Sequence, residues 1–380
     1  MSDQQGRPTV AEVSLGALRR NLRAAVDLVG PQVAVLAVVK ADAYGHGAVP
    51  AARAFVEAGA AAVGVSTVEE GVALRGAGIA VPVVVLGGVF PGEDDAVVAH
   101  ELAAAVWTVE AARALGARAR TAGRRVALHV KVDSGMTRLG LDGSDVAAAG
   151  RAIQALGGVT IDGVFSHLAS ADSVETASVR AQMARFRDAV GALAEQGIRP
   201  RHVHLANSAA VLAAREAHFT MVRPGLMLYG CAPAPHLARR AALTPALRLR
   251  TAVVQVRRVG AETPVGYGGT FVTARPSVIA VVPIGYADGF HRLNSNRAQV
   301  LIRGRRVPVV GRVCMDHTMI DVTDVPEVAV GDPVVLVGTQ GGATITAEDL
   351  ATWSETIPYE VLTSIGKRVP RRYVEELGHA

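Results

Sequence analysis

The sequence predicts an α/β protein: an N-terminal (β/α)8 TIM-type barrel followed by a C-terminal mainly-β domain. Three observations carry this expectation. The chain has 380 residues, enough for one large barrel plus an appendage. From residue 33 to about residue 223, short Val/Ala-rich runs alternate with longer segments of helical periodicity. After about Arg240 the pattern changes to apolar runs separated by Gly, Pro, Asn and Asp turns, with no long helix between them.

In chain order, Thr9–Val13 alternates like a strand ahead of the barrel, and residues 1–13 are expected to pair with the C-terminal domain. The barrel is expected over residues 14–240. Its strand-like runs are Val33–Val39, Ala61–Val65, Val83–Leu86, Ala103–Val106, Val126–Val132, Val159–Phe165, His202–Leu205 and Phe219–Arg223. Between them lie helical stretches such as Ala48–Ala58, Val109–Ala122, Ser144–Leu156 and Val174–Glu195. Runs that are apolar on both faces belong to parallel strands covered on both sides, as in a barrel. A seven-unit barrel or an open sheet is the alternative. The second domain, residues 241–380, is read from Leu247–Val259, Val278–Val282, Ala298–Ile302, Val307–Val313, Met319–Val322 and Val334–Val337. Two short helices, around Ala347–Ser354 and Tyr359–Lys367, close the chain.

Composition excludes several classes of function. Half of the residues are hydrophobic, as in a packed globular protein, yet no apolar run reaches the ~18 residues that span a bilayer. The start, MSDQQGRPTV, lacks the basic and apolar regions of a signal peptide, so a cytoplasmic location is expected. Two cysteines, Cys231 and Cys314, are too few for a disulfide framework. The net charge of +5 comes from dispersed arginines without a basic run or interleaved aromatics, which argues against nucleic acid. Only three basic residues are lysine: Lys40, Lys131 and Lys367. A position that stays lysine in an arginine-rich chain is a candidate for an amine that must lose its proton.

Chemistry in such a barrel sits at the C-terminal ends of the strands. Lys40 follows the first run, and the fifth leads into Lys131, Asp133 and Arg138. The sixth delivers Ser166 and His167, the seventh His204, Asn207 and Ser208, and the eighth Arg223 and Gly225. Five strands thus aim polar residues at one mouth. Partial desolvation of Lys40 would free its amine as nucleophile or base, for example to hold an aldehyde cofactor as a Schiff base; pairing with Asp42 is the structural alternative. Backbone amides near Gly225, with the hydroxyls of Ser208 and Tyr44, could bind phosphate, or Gly225 could simply supply a turn. His202 and His204, spaced i, i+2, share a face and could bind a metal with His167 and Lys131. That reading lacks a ligating carboxylate after the last strand, where the chain has Arg223, so no metal is expected.

The motifs VVKADAYGHG, HVKVDSGMTRLG, FSHLASAD, ANSAA, VRPGLMLYG, VGYGGTF, PIGYADG, GRVCMDH and IPYEVLTSIGKRVPR, in this order, resemble the alanine racemase family over essentially the whole chain, from about residue 8 to Tyr373. The resemblance implies an isomerase that uses pyridoxal 5'-phosphate to interconvert L- and D-alanine, supplying D-alanine for the peptidoglycan of a bacterial cell wall. Lys40 would hold the cofactor and serve as base on one face of Cα, with Tyr267 of a second subunit on the other. Arg223 would face the pyridine nitrogen, and Arg138 the cofactor phenolate and substrate carboxylate. Lys131 is the position that many members carry as a carbamate. Tyr44, Ser208, Gly225, Leu226 and Tyr359 would cradle the phosphate, while His167 and Asn207 would support the ring or Arg223. Met315 would meet the substrate carboxylate, with Cys314 and Asp316 nearby and Tyr286 at the entrance. The resemblance therefore implies a homodimer with shared sites acting on a small-molecule substrate.

Related readings are a racemase of broader or serine specificity, a decarboxylase of the same architecture, and a non-catalytic pyridoxal-phosphate-binding protein. The decarboxylase should lack the tyrosine of VGYGGTF. The binding protein should lack the residues after Arg240.

Overall fold

The computed structural model describes residues 6–378, so residues 1–5 of the expected N-terminal strand segment lie outside the described residues. Two compact units are resolved: Leu18–Ala43 with Ala48–Thr244, and residues 6–17 with Tyr44–Gly47 and residues 245–378.

The first strand, β1 (Val10–Ser14), belongs to the second unit. The barrel strands are β2 (Ala34–Val38), β3 (Ala62–Val65), β4 (Val83–Val85), β5 (Ala103–Val106), β6 (Val126–Lys131), β7 (Val159–Phe165), β8 (His202–His204) and β9 (Met221–Val222). They close in that order into a barrel, with every neighbouring pair parallel, including β9 back onto β2. The expectation of eight strands is met, and the open-sheet and seven-unit alternatives fall. Val and Ala, with Gly64, make up β3, β4 and β5, which are buried at every position. The expected helices form as Ala48–Glu57, Val109–Thr121, Val146–Gln154 and Ala177–Glu195. Val68–Gly76, Asp94–Ala99 and Ser208–Ala213 add to them. No long helix follows β9. Instead Asn21, on the helix Leu15–Val29 that precedes β2, donates to Leu228 O and Thr244 O at 3.1 and 2.8 Å. Its own oxygen accepts from Thr244 N, which fastens the end of the unit.

The second unit is built from β10 (Leu247–Ala252), β11 (Gln255–Val259), β12 (Pro264–Val265), β13 (Phe271–Val272), β14 (Ser277–Val282), β15 (Gln299–Ile302), β16 (Arg305–Pro308), β17 (Thr318–Asp321), β18 (Pro333–Gln340), β19 (Ala343–Ile345) and β20 (Arg371–Val374). One sheet runs β16-β15-β18-β10-β1-β20 with β19 on β18; a second runs β11-β14-β17, and β12 and β13 form a hairpin. β1 is antiparallel to β10 and parallel to β20. In that register Glu12 lies opposite Arg248, and its buried carboxylate takes Nε–H donors from Arg248 at 2.7 Å and Arg250 at 3.0 Å.

Two expected strands are shorter than read. Leu247–Val259 is interrupted at Val253–Val254 because the chain leaves one sheet for the other, and Val307–Val313 stops at Pro308. A mainly-β unit is what results. Among the described residues, no helix is long and apolar enough to cross a membrane.

Candidate active site

Lys40 stands two residues beyond the end of β2, at the C-terminal end of the barrel strands. The chain then does something unusual. Ala41, Asp42, Ala43 and Tyr44 all take left-handed φ values, between 51° and 53°. Such a turn costs an L-residue about 1–2 kcal/mol per position and needs external restraint. Within the barrel unit the restraint comes from two carboxylates. Glu70 accepts from Ala41 N at 2.6 Å, and Asp42 accepts from Ala48 N at 2.7 Å. Asp42 is thus spent on the loop backbone; the carboxylate whose charge acts on Lys40 is Glu70. Burial, then the charges of Arg138 and Arg223, hold the Lys40 amine below its ordinary value, against the opposing pull of Glu70.

Lys131 ends β6, and Asp133 shapes the loop beyond it by accepting from Gly135 N and Met136 N, both at 2.8 Å. Asp133 N→Leu141 O and Leu141 N→Lys131 O close this loop at its base. Arg138 is exposed on it and forms no hydrogen bond with the described residues. Lys131 is buried, and desolvation, followed by Arg138, Arg223 and Lys40, lowers it to about 8 despite Asp133.

Arg223 follows β9 and is buried. Its Nη1 donates to His204 O at 2.8 Å and His204 Nδ1 at 3.1 Å; Nη2 donates to Ser166 O at 2.6 Å and Leu205 O at 3.4 Å, with His167 Nδ1 at 3.5 Å. Nε bonds to no described residue. The ring of Phe165 lies 5.1 Å below the guanidinium and stacks on His204. Burial brings Arg223 down to about 9, which leaves it charged at neutral pH. His167 is held near 3 by burial and by Arg223, Arg138, Lys131 and Lys40 together, so it is neutral. Four cations therefore act on one imidazole.

Ser208 opens the helix after β8, and its hydroxyl accepts from Gly225 N at 2.8 Å and Met227 N at 3.3 Å, drawing the Gly225–Leu226 backbone to it. Asn207 caps that helix, its oxygen accepting from Ala210 N, and is not hydrogen-bonded to Arg223. His204 is engaged at both ring nitrogens, by Arg223 and by His129, which removes it from the metal-ligand alternative. Among the described residues, no cluster of three His, Cys, Asp or Glu side chains is placed to hold a metal.

In the second unit, Tyr44 and Tyr359 approach with ring centroids 5.7 Å apart, and burial pushes the Tyr44 phenol well up. Tyr267 sits at the tip of the β12–β13 hairpin, where Gly266, Gly268 and Gly269 supply positive φ, and it is 70 % exposed. Val265, Ile279 and Val310 form the small core under that hairpin. Tyr286 N→Cys314 O and Ala287 N→Met315 O, at 3.0 and 3.1 Å, hold the Tyr286 and Met315 loops side by side. Asp316 pairs with Arg368 at 2.7 Å. Cys314 and Cys231 are free thiols, Cys231 buried.

Glu70, His129 and Gly163 are not among the residues expected at the site from the sequence. Thr67-x-x-Glu70 is a capping-box spacing that marks Glu70, and the two-residue period of a strand puts His129 on the side of Lys131.

Residues 13–233 match the family description "Alanine racemase, N-terminal domain", and residues 246–373 match "Alanine racemase, C-terminal domain". The alanine racemase of Symbiobacterium thermophilum is 48 % identical over 367 residues, covering 97 % of each chain. The crystal structure of alanine racemase from a D-cycloserine-producing Streptomyces lavendulae superposes with a TM-score of 0.92 at 39 % identity, covering 98 % of this chain and 99 % of that one. The Bartonella henselae alanine racemase, solved with covalently bound pyridoxal phosphate, gives 0.87 at 30 % identity, covering 97 % of this chain and 100 % of its own. On both domains and at this identity, the chain belongs to the alanine racemase family.

Proposed function

We propose that the protein interconverts L-alanine and D-alanine with pyridoxal 5'-phosphate, supplying D-alanine for peptidoglycan in the bacterial cytoplasm. The observation that carries this reading is the barrel mouth itself. Lys40, Lys131, Arg138 and Arg223 gather there, with Glu70 as the counter-charge acting on Lys40 and Asp133 as the one acting on Lys131. That donor set fits an anionic aldehyde cofactor: an amine held below its ordinary value, an unbonded Arg138 guanidinium, an unused Nε on Arg223, and a hydroxyl beside the Gly225–Leu226 backbone. When bound, the cofactor supplies an electron-withdrawing ring that acidifies the substrate Cα–H.

In this proposal Lys40 holds the cofactor and, once released, moves the proton on one face of Cα. Tyr267 of a second copy moves it on the other. Two carriers are required, because reprotonation from a single face returns the original enantiomer. The exposed, glycine-built hairpin tip that carries Tyr267 supports a homodimer in which residues 241–380 serve the partner's barrel, and Met315, with Cys314 and Asp316 beside it, meets the substrate carboxylate. Tyr286 lines the entrance. Arg223, which donates and does not accept, would face the ring nitrogen of a bound cofactor, leave it unprotonated and so restrain side reactions. Arg138 takes the phenolate and the substrate carboxylate. Phosphate binding is assigned to Ser208, Gly225 and Leu226, and also to Tyr44 and Tyr359. His167 and Asn207 support the ring. Lys131, lowered to about 8, keeps enough free amine to add CO2 with loss of a proton; the resulting carbamate would turn a cation into an anion that orients Arg138.

The test is chiral chromatography of L-alanine incubated with the purified protein and pyridoxal phosphate, beside Lys40→Ala. An equal mixture of enantiomers from the wild type alone is expected. Absence of D-alanine from folded, cofactor-loaded protein refutes the substrate assignment.

A further inference from the structure

A line of buried groups continues from Arg223 into the barrel core. His204 Nε2 lies 2.8 Å from Nδ1 of His129 on β6, and both rings are buried. His129 also lines a cavity of about 500 Å³. Its wall contains Ala34, Ala62, Val83, Ala103, Val126 and His202, the first residues of six barrel strands, so the cavity lies at the end of the barrel opposite Lys40.

Two local features serve the His129 ring. The β6–β7 register shifts between Leu128 and His129, an irregularity of the kind that re-aims a side chain. Across the ladder His129 faces Gly163, where a Cβ would stand 2.2 Å from the His129 Nδ1. The φ at Gly163 is not left-handed, so the ring, rather than the backbone, demands glycine there.

The hydrogen-bond chain has a fixed polarity. A guanidinium only donates, so Nδ1 of His204 must present its lone pair to Arg223. A neutral imidazole then carries its proton on Nε2, and Nδ1 of His129 must accept it. Both rings are neutral: burial, with His202 and Arg223, lowers His129 to about 3, and burial with Arg223 holds His204 far below its ordinary value.

We propose that His129 is a positioning residue for the reaction: by accepting the His204 proton it fixes that ring's tautomer, holds Arg223 through its Nη groups, and leaves Nε for the ligand. The proposal rests on the reading of Arg223 as the group that faces the cofactor's ring nitrogen.

Three measurements test it. The ¹⁵N-histidine NMR spectrum of the wild-type holoenzyme should show His129 and His204 as neutral Nε2–H imidazoles throughout the neutral range; a charged ring or an Nδ1–H tautomer at either position overturns the proposal without any variant. His129→Ala should lose about tenfold in kcat with little change in KM, because the group displaced is remote from the substrate. His129→Gln, whose amide oxygen can accept the same proton, should fall between. Imidazole, which the cavity can admit, should restore His129→Ala but not Gly163→Ala, where the native ring still fills the site in a displaced position. Wild-type kcat in His129→Ala, or equal losses in the folded Ala and Gln variants, overturns it. An unchanged cofactor absorption band in Arg223→Lys would instead overturn the reading of Arg223, and the two failures are thereby separable.

Discussion

The barrel unit and the β unit each hold one pair of candidate residues, and the two pairs are held in opposite ways. In the barrel, Lys131 and Arg223 are 6 % and 5 % exposed, and backbone carbonyls and neutral histidines fix the Arg223 guanidinium. In the β unit, Tyr267 and Met315 are 70 % and 52 % exposed and stand on loops. The first pair is fixed by the barrel's own core; the second is open to solvent, which fits the proposal that a second copy covers it. Concentrated, poorly compensated charge costs stability and marks the place where binding energy is to be spent. Lys40→Ala breaks this side of the comparison most severely. Racemisation should fall by at least about 10⁴-fold, the upper range for a lost proton carrier, since the proposed cofactor anchor goes too. The same substitution should raise the Tm of the cofactor-free protein, because it relieves repulsion from Arg138 and Arg223. Tyr267→Phe should cost about 10²–10⁴-fold in kcat and leave the Tm unchanged, because an exposed phenol contributes nothing to the fold. A loss of Tm as large as that of a core variant would show that the hairpin tip is structural.

Buried charge in the β unit has the opposite meaning. Glu12 sits between Arg248 and Arg250 with its carboxylate satisfied. Burial alone would raise its pKa, but the hydrogen bonds and charges of the two arginines outweigh it and hold it below 4.5. A carboxylate depressed in the folded state stabilises above its unfolded pKa and loses that contribution as pH falls through the folded one. Glu12→Gln leaves two arginines facing a neutral group and should cost about 3 kcal/mol at pH 7. Denaturant titrations of both proteins should show the gap narrowing in acid. A gap that is constant with pH would make the loss steric.

What the sequence disclosed follows from the range of the forces involved. Strands such as Ala103–Val106 were legible because burial on both faces leaves a continuous apolar run. Phe219–Arg223 contracts to Met221–Val222, where Met221 pairs with both neighbouring strands and Val222 with β2 alone. Lys40 and Arg223 could be placed at the mouth from strand ends alone. The left-handed turn after Lys40 could not, because Ala41 and Ala43 carry no signal for positive φ; the restraint comes from Glu70, distant in sequence. For His129 the strand period gives the face, but its role depends on His204, Gly163 and a cavity assembled from six strands.

Glu70 offers the smallest and sharpest test of how the barrel restrains its lysine. One oxygen accepts from Ala41 N at 2.6 Å; the other accepts from Ser66 N at 2.7 Å and Thr67 N at 3.3 Å, completing a capping box on the helix Val68–Gly76. Glutamine has one acceptor oxygen, so Glu70→Gln must release either the strained turn or the helix cap, and the loss of a cap costs about 1 kcal/mol. The variant also removes the carboxylate that raises the Lys40 amine. With that pull gone, Lys40 titrates lower, the neutral amine persists to lower pH, and the acid limb of the kcat profile should move to lower pH. A displacement towards higher pH would mean that Glu70 acts on Lys40 mainly through the shape of the turn, because a loosened loop hydrates the amine and lets it keep its proton.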